Sequence, residues 1–248
     1  MKPLKDKKKI TTVVLLAAGT GSRLRPLTLD APKCLTVVNN KPIIQHLLDT
    51  FRTQGVKKII VVTGYLEHLI REYMNEHVQD MQMEYVFNAD YETTNNIYSL
   101  WLARQAINEP FLLVESDLFF DAKLLNKMMY PNRIALSIRL PWMNGTTVSL
   151  DKNHQVDRFY MSTDTTEKQH YKTVNICSLS LDSWYKVLAR LDNYIDKKNL
   201  NAYYEAVFLD LVANKTLFFE AVMFDENRWY EIDTTEDLDA AEKLFSTT

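Results

Sequence analysis

A short loop early in the chain combines two glycines with three positively charged side chains. Residues 19–33 read GTGSRLRPLTLDAPK, and the cations are Arg23, Arg25 and Lys33. Glycine lets backbone N–H groups approach an anion closely. Arginine can hold two phosphate oxygens, whereas lysine delivers a compact charge to one. Because two prolines also stiffen the loop, this pattern predicts a phosphate-binding site and not a solvated basic loop.

The loop differs from the two common nucleotide-binding fingerprints. Leu24 stands where a dinucleotide-binding loop has its third glycine, and no Gly-Lys-Ser/Thr follows as in a P-loop. The loop directly follows residues 11–17, an apolar run without alternation that is typical of a strand buried on both faces. We therefore expect the loop at the carboxyl edge of a parallel sheet, where open α/β sheets bind ligands.

Two aspartates are candidate ligands for a divalent metal ion. Asp117 follows the buried run 111–114, and Asp233 follows a short apolar run that ends at Ile232. Mg²⁺ prefers oxygen ligands and usually takes one or two protein carboxylates together with phosphate oxygens and water. A helix cap is the alternative for Asp233, because a helix is predicted to begin near Thr235.

The remaining pattern predicts an α/β fold. Strands and helices alternate at short spacing up to Pro131, and short strands joined by turns then predict an antiparallel or mixed portion. We expect one domain over residues 11–248, a basic tail over 1–10 and a mobile loop over 161–170. The predicted strands are 11–17, 59–63, 83–87, 111–114, 134–140, 147–150, 156–160, 173–180 and 217–223. The predicted helices run from Pro42 to a stop at Gly55 and over 66–74, 97–106, 183–191, 202–213 and 236–245.

Composition argues against several classes of partner. The 29 Lys and Arg nearly balance the 32 Asp and Glu, so no overall field attracts nucleic acid or an anionic membrane. No run reaches the roughly 20 apolar residues of a membrane-spanning helix. Cys34 and Cys177 lie outside any CxxC pattern, which favours a reduced, cytoplasmic protein with both thiols buried. We expect no nucleic acid and no membrane insertion; a homodimer is compatible with the sequence.

Residues 16–35, LAAGTGSRLRPLTLDAPKCL, resemble the signature G-x-G-x-R-[LM]-x-P-x-T-x-x-x-P-K of the nucleotidyltransferases that make sugar-nucleotides and CDP-amino-alcohols. The resemblance implies a Rossmann-like, mixed and mostly parallel sheet with helices on both faces, the nucleotide-diphospho-sugar transferase type. It also implies in-line displacement of pyrophosphate, in which Arg23 grips the pyrophosphate and Lys33 stabilises the α-phosphate. Asp117 and Asp233 would then hold Mg²⁺. The residues that would cradle the nucleotide are Leu16, Ala17, Ala18, Gly19, Thr20 and Gly21.

Two further segments narrow the resemblance. Residues 95–100, NNIYSL, resemble the N-N-x-Y-S-L segment of CTP:phosphocholine cytidylyltransferases. Residues 171–176, YKTVNI, resemble a segment of that group and of phosphonate cytidylyltransferases, with Lys172 as a second catalytic cation near the acceptor phosphate. This implies CTP as donor and phosphocholine or 2-aminoethylphosphonate as acceptor, and a CDP-choline-type or CMP-phosphonate product for cell-surface decoration. The polar residues before the predicted helix 97–106 could include a helix N-cap, but a cap would explain only one of them. The residues that the resemblance implies for binding the base are Thr94, Asn95, Asn96 and Ser99.

An amine on the acceptor could be held by a carboxylate and aromatic faces. Most large aromatics, Trp101, Trp142 and Trp184 among them, are expected in the core or an interface. Many sugar-specific relatives have glycine before the first metal aspartate, and Ser116 stands there in this chain, which argues against a standard sugar site. The candidate acceptor-binding residues are Glu115, Tyr204, Glu205 and Trp229.

Two other functions stay open at this point. One is a sugar-1-phosphate uridylyl- or thymidylyltransferase, which shares the mechanism and differs in substrates. The other is a regulatory module that binds nucleotide without turnover. Such a module would be expected to lose a phosphate-binding cation or a metal carboxylate, and the chain retains Arg23, Lys33, Asp117 and Asp233.

Overall fold

The computed structural model of the protein describes residues 8–141, 143–161 and 170–245. Most of the basic tail 1–10, Trp142 and most of the predicted loop 161–170 lie outside the described residues. Thirteen strands lie within them: β1 Thr12–Ala17, β2 Val37–Val38, β3 Lys41–Pro42, β4 Lys58–Thr63, β5 Gln82–Phe87, β6 Phe111–Glu115, β7 Leu118–Phe120, β8 Arg133–Ile138, β9 Thr147–Leu150, β10 Val156–Tyr160, β11 Tyr171–Leu179, β12 Glu220–Phe224 and β13 Trp229–Glu231. The α-helices within them are α1 Ile43–Gln54, α2 Glu67–His77, α3 Asn96–Leu102, α4 Leu181–Asp196, α5 Glu205–Ala213 and α6 Thr235–Phe245.

A nine-stranded mixed sheet forms the centre of the molecule. Its strand order is β10-β9-β11-β6-β1-β4-β5, and β8 joins β11 and β12. The central strands β6, β1, β4 and β5 are parallel neighbours, and β11 pairs with β6 in the antiparallel direction. The predicted mixed sheet and the change of strand direction in the second half of the chain are therefore confirmed.

Strand β1 is buried on both faces because each face packs against a separate apolar cluster. Val13 and Leu15 belong to one cluster, and Val14 and Leu16 belong to the other. The first cluster includes apolar residues of α1, α2 and α6, and the second includes those of α3, α4 and α5. This arrangement accounts for the absence of alternation in the β1 sequence and confirms helices on both faces of the sheet.

Local signals set most helix ends. Gly55 adopts the left-handed conformation (φ 75°) at the end of α1, as predicted. The predicted helix 202–213 begins only at Glu205, because the chain before it turns where Tyr204 N donates to Asn96 Oδ1 at 3.0 Å. The predicted helix 183–191 is longer than expected, since the Ser180 side chain caps it from the start. The predicted helix 97–106 ends at Leu102 and continues as a 3₁₀ turn.

Two strands of three residues escaped prediction. β7 and β13 pair in an antiparallel ribbon outside the large sheet, with Leu118 opposite Glu231. Runs this short show no periodicity. The ribbon nevertheless has a direct consequence, since Asp117 precedes β7 and Asp233 follows β13, and the pairing brings the two aspartates together.

Both cysteines are free and buried, as predicted. Burial raises the pKa of the Cys34 thiol to about 12. No helix in the described part of the chain is long and apolar enough to cross a membrane.

Candidate active site

A cleft of about 700 Å³ opens at the carboxyl ends of β1 and β6. It gathers residues that are distant in the sequence, from the glycine loop, the start of α3, the ends of β6 and β13, β11 and the start of α5. Most of the residues singled out in the sequence line it: Leu16, Ala18, Gly19, Thr20, Gly21, Arg23, Lys33, Thr94, Asn95, Asn96, Ser99, Glu115, Asp117, Lys172, Glu205, Trp229 and Asp233.

Three singled-out residues do not line the cleft. Ala17 is buried within β1, and Arg25 is exposed on the far part of the loop. Tyr204 is 2% exposed, and its ring packs against Phe208 with 5.3 Å between centroids. Tyr204 therefore cannot offer a ring face to a bound acceptor, whereas Tyr203 beside it lines the cleft.

Lys33 lies between the two candidate metal ligands. Its Nζ is 2.7 Å from Asp117 Oδ2 and 2.6 Å from Asp233 Oδ1. Arg23 Nη2 lies 2.8 Å from the same oxygen of Asp233. Although burial by itself lowers the pKa of Lys33, the charges of Asp117 and Asp233 outweigh it and raise that pKa. Lys33 is thus a fixed cation at neutral pH.

Glycine is needed at residue 21 for Lys33 to approach the loop. Gly21 has φ 61°, and a Cβ added to it would lie 2.9 Å from the Cβ of Lys33. Thr28 Oγ1 donates to the carbonyl of Gly21 at 2.8 Å and fixes this turn. An added Cβ on Gly19 would meet no described atom within 4 Å, so packing does not explain that glycine.

The side chain of Asp233 does not cap the helix α6 that follows it. The N-terminus of α6 is capped by a reciprocal pair, in which Thr234 N donates to Asp237 Oδ2 at 2.9 Å and Asp237 N donates to Thr234 Oγ1 at 3.2 Å. The Asp233 side chain instead faces Lys33. Capping therefore does not explain Asp233.

Three carboxylates could hold a metal ion together. Asp117, Glu231 and Asp233 each offer an oxygen within 4.8 Å of the others. Asp117 Oδ1 is buried without a hydrogen-bond partner among the described residues. An unpaired buried carboxylate oxygen is costly, and a set of hard oxygen donors is what Mg²⁺ prefers, so the cluster fits that ion.

Sequence reasoning did not identify Glu231 and Asn175 as site residues. Glu231 alternates with Asp233 in the extended segment WYEID, so the two carboxylates share a side of the chain. Asn175 interrupts β11 with a left-handed φ of 56°, at an irregularity in its pairing with β8, and its Nδ2 donates to Glu231 Oε1 at 3.1 Å. Alternation could have revealed Glu231, whereas a mid-strand irregularity leaves no comparable signal.

Asn96 joins two elements beside the cleft. Its Nδ2 donates to Glu115 Oε1 at 3.0 Å, and its Oδ1 accepts from the backbone of Tyr204. Burial raises the pKa of Glu115 well above its usual value, and the charge of Asp117 adds to that rise. Burial likewise raises the pKa of Glu205 to about 7.

Lys172 is buried beside these carboxylates. Its Nζ donates to the carbonyl of Thr173 at 2.8 Å and lies 3.3 Å from Glu231 Oε2. The cleft has a loop side and an acidic side. The loop side consists of Gly19, Gly21, Arg23, Lys33, Asp117 and Asp233, and the acidic side consists of Glu115, Lys172, Glu205 and Glu231.

The polar residues before α3 form a connected set. Asn88 Nδ2 donates to Thr94 Oγ1 and to Ser99 Oγ, each at 3.1 Å. The Asn95 side chain accepts from the backbone of Asn96 at 2.7 Å and caps α3, so the cap explanation applies to Asn95. Asn88 also lines the cleft and was not singled out in the sequence.

Comparison with known proteins places this geometry in a family. Residues 12–136 match the family model of nucleotidyl transferases. CMP-5'-(3-aminopropyl)phosphonate synthase of Streptomyces rubellomurinus is 29% identical over 94% of this chain, which spans 38% of that longer protein. CTP:phosphoglutamine cytidylyltransferase of Campylobacter jejuni is 26% identical over 91% of this chain and 97% of that protein.

A sequence match over part of the chain and a structural superposition point to the same kind of protein. Choline-phosphate cytidylyltransferase of Streptococcus pneumoniae is 33% identical over 46% of this chain and 48% of that protein. The solved structure of CTP:phosphocholine cytidylyltransferase from Streptococcus pneumoniae superposes with a TM-score of 0.82 at 21% identity, and covers 96% of this chain and 99% of that chain. At that identity the superposition shows the fold, and the family match over half of the chain shows that this protein belongs to the nucleotidyl transferase family and is a nucleotidyltransferase.

Proposed function

We propose that this protein transfers CMP from CTP to a small phosphorylated or phosphonylated amine and releases pyrophosphate, with Mg²⁺ as cofactor. The observation that carries the proposal is the position of Lys33, in contact with both Asp117 and Asp233 beside the glycine loop. Such an arrangement can hold a triphosphate between fixed cations and a carboxylate-bound metal. A regulatory module without turnover has no need of this arrangement.

The reaction forms one P–O bond and breaks another. An oxygen of the acceptor phosphate or phosphonate attacks the α-phosphorus of CTP, and the bond from that phosphorus to the pyrophosphate oxygen breaks. The attacking oxygen is already ionised near neutral pH, so no residue has to remove a proton. Catalysis then consists of positioning the two substrates and stabilising the charge of the transition state.

The loop side would bind the triphosphate. The backbone at Gly19 and Gly21 approaches the phosphates, Arg23 holds the departing pyrophosphate, and Lys33 stabilises the charge on the α-phosphate. Mg²⁺ bound by Asp117 and Asp233 would neutralise further phosphate charge. Lys33 can serve the α-phosphate because its ammonium already lies in the cleft and keeps its charge across the neutral pH range.

The proposal of CTP rests on the relatives and on the polar set before α3. Relatives over nearly the whole chain include proteins named for CTP or for a CMP product. The connected side chains of Asn88, Thr94 and Ser99 offer donors and acceptors suited to the carbonyl and amine of cytosine.

The acidic side would receive the acceptor. Lys172 would bind its phosphate or phosphonate, and the buried carboxylates Glu115 and Glu205 would bind its amine, beside Trp229. Phosphocholine and 2-aminoethylphosphonate are the proposed acceptors. We place the enzyme in the cytoplasm, since both thiols are free, and assign catalysis to residues 11–248, with the tail 1–10 outside the site. A homodimer stays a prediction.

Pyrophosphate release tests the proposal. The protein would be incubated with Mg²⁺, with CTP, UTP, dTTP or ATP, and with phosphocholine, phosphoethanolamine, 2-aminoethylphosphonate or glucose 1-phosphate. We expect release with CTP and an amine-bearing acceptor. Release with UTP or dTTP and the sugar phosphate would replace the proposal by the sugar-nucleotide alternative, and no release in any combination would favour the regulatory module.

A further inference from the structure

The acidic side of the cleft has more carboxyl groups than cations. Among the described residues that line the cleft there are six carboxylates and three cations. On the loop side Arg23 and Lys33 already pair with Asp117 and Asp233. The remaining carboxylates other than the helix-capping Asp237 face a single cation: these are Glu115, Glu205 and Glu231, with Lys172.

Glu205 supplies an observation independent of this charge count. Its Oε2 is buried and has no hydrogen-bond partner among the described residues, and the residue is 7% exposed and lines the cleft. A buried carboxylate oxygen without a donor is unfavourable. A ligand that brings an N–H donor would satisfy it.

Glu115 is held in place beside the same space. Asn96 Nδ2 donates to its Oε1 at 3.0 Å. Glu115 and Glu205 both line the cleft, and Asn96, which donates to Glu115, also accepts from the backbone of Tyr204 next to Glu205. Two neighbouring carboxylates on separate elements, β6 and α5, thus form a rigid receptor for a cation.

We infer that the acceptor carries a primary ammonium group, and that Glu205 Oε2 accepts a hydrogen bond from it and thereby selects it over a quaternary ammonium. The inference rests on the proposed function and narrows its acceptor to amines that keep N–H donors. The ammonium donates to Glu205 and also compensates the charge of Glu115. The bonds that form and break in the transfer reaction are the same as those described above.

A trimethylammonium group fits this site poorly because it has no N–H donor. Glu205 Oε2 would then stay buried and unpaired. Sites that hydrogen-bond a substrate N–H reject an analogue without it strongly, so we expect a preference of about 100-fold or more.

Equilibrium binding of a graded series tests the inference. Phosphoethanolamine, its N-methyl and N,N-dimethyl derivatives and phosphocholine share one phosphate and differ only in N–H donors. Their affinities would be measured by calorimetry in the presence of Mg²⁺ and the α,β-methylene analogue of CTP, which prevents transfer. We expect affinity to fall along the series, with the largest loss at phosphocholine.

Variants then locate the selectivity. Glu205→Gln keeps the shape of the side chain, and we expect it to reduce the preference for phosphoethanolamine over phosphocholine to less than about tenfold. Glu72→Gln, on the exposed face of α2, is the matched control and should keep the wild-type ratio. Circular dichroism of each variant establishes that it is folded.

The outcomes separate this inference from the proposed function. Equal or tighter binding of phosphocholine by the wild-type protein would overturn the inference, as would an unchanged ratio in folded Glu205→Gln or failure of every member to bind. Pyrophosphate release with CTP is measured separately. Release of pyrophosphate combined with a preference for phosphocholine would retain the proposed function and reject the inference. Affinities that fall along the series without any release of pyrophosphate would retain the inference and reject the proposed function.

Discussion

The two sides of the cleft differ in how their charges are compensated. On the loop side every carboxylate contacts a cation of the chain, and Lys33 alone reaches two of them. On the acidic side Lys172 contacts Glu231, while Glu205 keeps an oxygen without a donor. Both carboxylates of the loop side therefore contact a cation, and Asp117 Oδ1, which lacks a hydrogen-bond partner in the described part of the chain, suits a metal that arrives with phosphates. The acidic side has Lys172 for three carboxyl groups and suits a cation.

The difference also shows in the conformation of the chain. On the loop side a glycine with positive φ permits close packing of Lys33, and a short ribbon aligns the two aspartates. On the acidic side an asparagine with positive φ interrupts a long strand and reaches Glu231. The loop side thus depends on a loop motif, whereas Glu231 on the acidic side is contacted from an irregularity within the sheet.

Asp117→Asn should have the largest effect, because it removes a candidate metal ligand on the loop side. We expect activity to be abolished together with its dependence on Mg²⁺ concentration. Steady-state rates across a magnesium titration are the measurement, and Asp182→Asn on the exposed start of α4 is the control. An unchanged magnesium titration in Asp117→Asn would contradict the metal assignment.

Lys33→Ala should have the second-largest effect on activity. We expect the turnover number to fall about 100-fold or more, since one preorganised charge at a transition state typically contributes that much. The fold should persist, because the side chain contributes to the cleft and not to the core. Lys152→Ala in an exposed turn provides the control, and near-wild-type turnover in Lys33→Ala would refute the role of Lys33.

Gly21→Ala should have an intermediate effect on turnover. Alanine strains a residue with positive φ, and here its Cβ would also push against Lys33. We expect a loss of about tenfold in turnover, an estimate that treats a displaced charge as retaining part of its effect. Gly55→Ala is a matched control, because Gly55 has φ 75° and open space around an added Cβ. It should lower the melting temperature similarly and leave turnover unchanged; equal turnover in both variants would contradict the argument.

The sequence predicted the loop side better than the acidic side. Arg23 and Lys33 could be singled out because they lie in a loop with glycines and prolines directly after a buried strand, and Asp117 and Asp233 because each follows an apolar run. The carboxyl edge of a parallel sheet brings such positions together. The family resemblance depended on the same loop, and the comparisons confirm it.

Predicting the residues on the acidic side required the orientation of each side chain, which short sequence segments do not reveal. Tyr204 and Tyr203 differ by one position, yet one lies in the core and the other in the cleft. The position of Glu231 depends on a three-residue strand, and the position of Asn175 depends on a local departure from regular strand pairing. Tertiary contacts, such as the bond from Tyr204 N to Asn96, decide these orientations.

The smallest effect concerns stability and pH. Burial, opposed by the charge of Lys172, raises the pKa of Glu205 from an unfolded value of 4.5 to about 7. A raised carboxyl pKa means that the wild-type protein loses stability as pH rises between those values. Glu205→Gln does not titrate, so its melting temperature relative to wild type should increase by a few degrees from pH 5 to pH 8.

Thermal unfolding at several pH values measures this difference. The groups that face Glu205 and are the same in both proteins are Glu115, Lys172, Cys177, Tyr204 and Glu231. Their contributions largely cancel in the comparison. A difference in melting temperature that shrinks as pH rises would contradict the assignment of Glu205 as a buried carboxyl group with a raised pKa.

The most direct measurement is a crystal structure with Mn²⁺ in place of Mg²⁺ and the α,β-methylene analogue of CTP, with anomalous scattering to locate the metal. The account predicts Mn²⁺ bound to Asp117 and Asp233, with Lys33 at the α-phosphate and the triphosphate along residues 19–23. Manganese bound elsewhere, or a triphosphate outside the reach of Lys33, would contradict it.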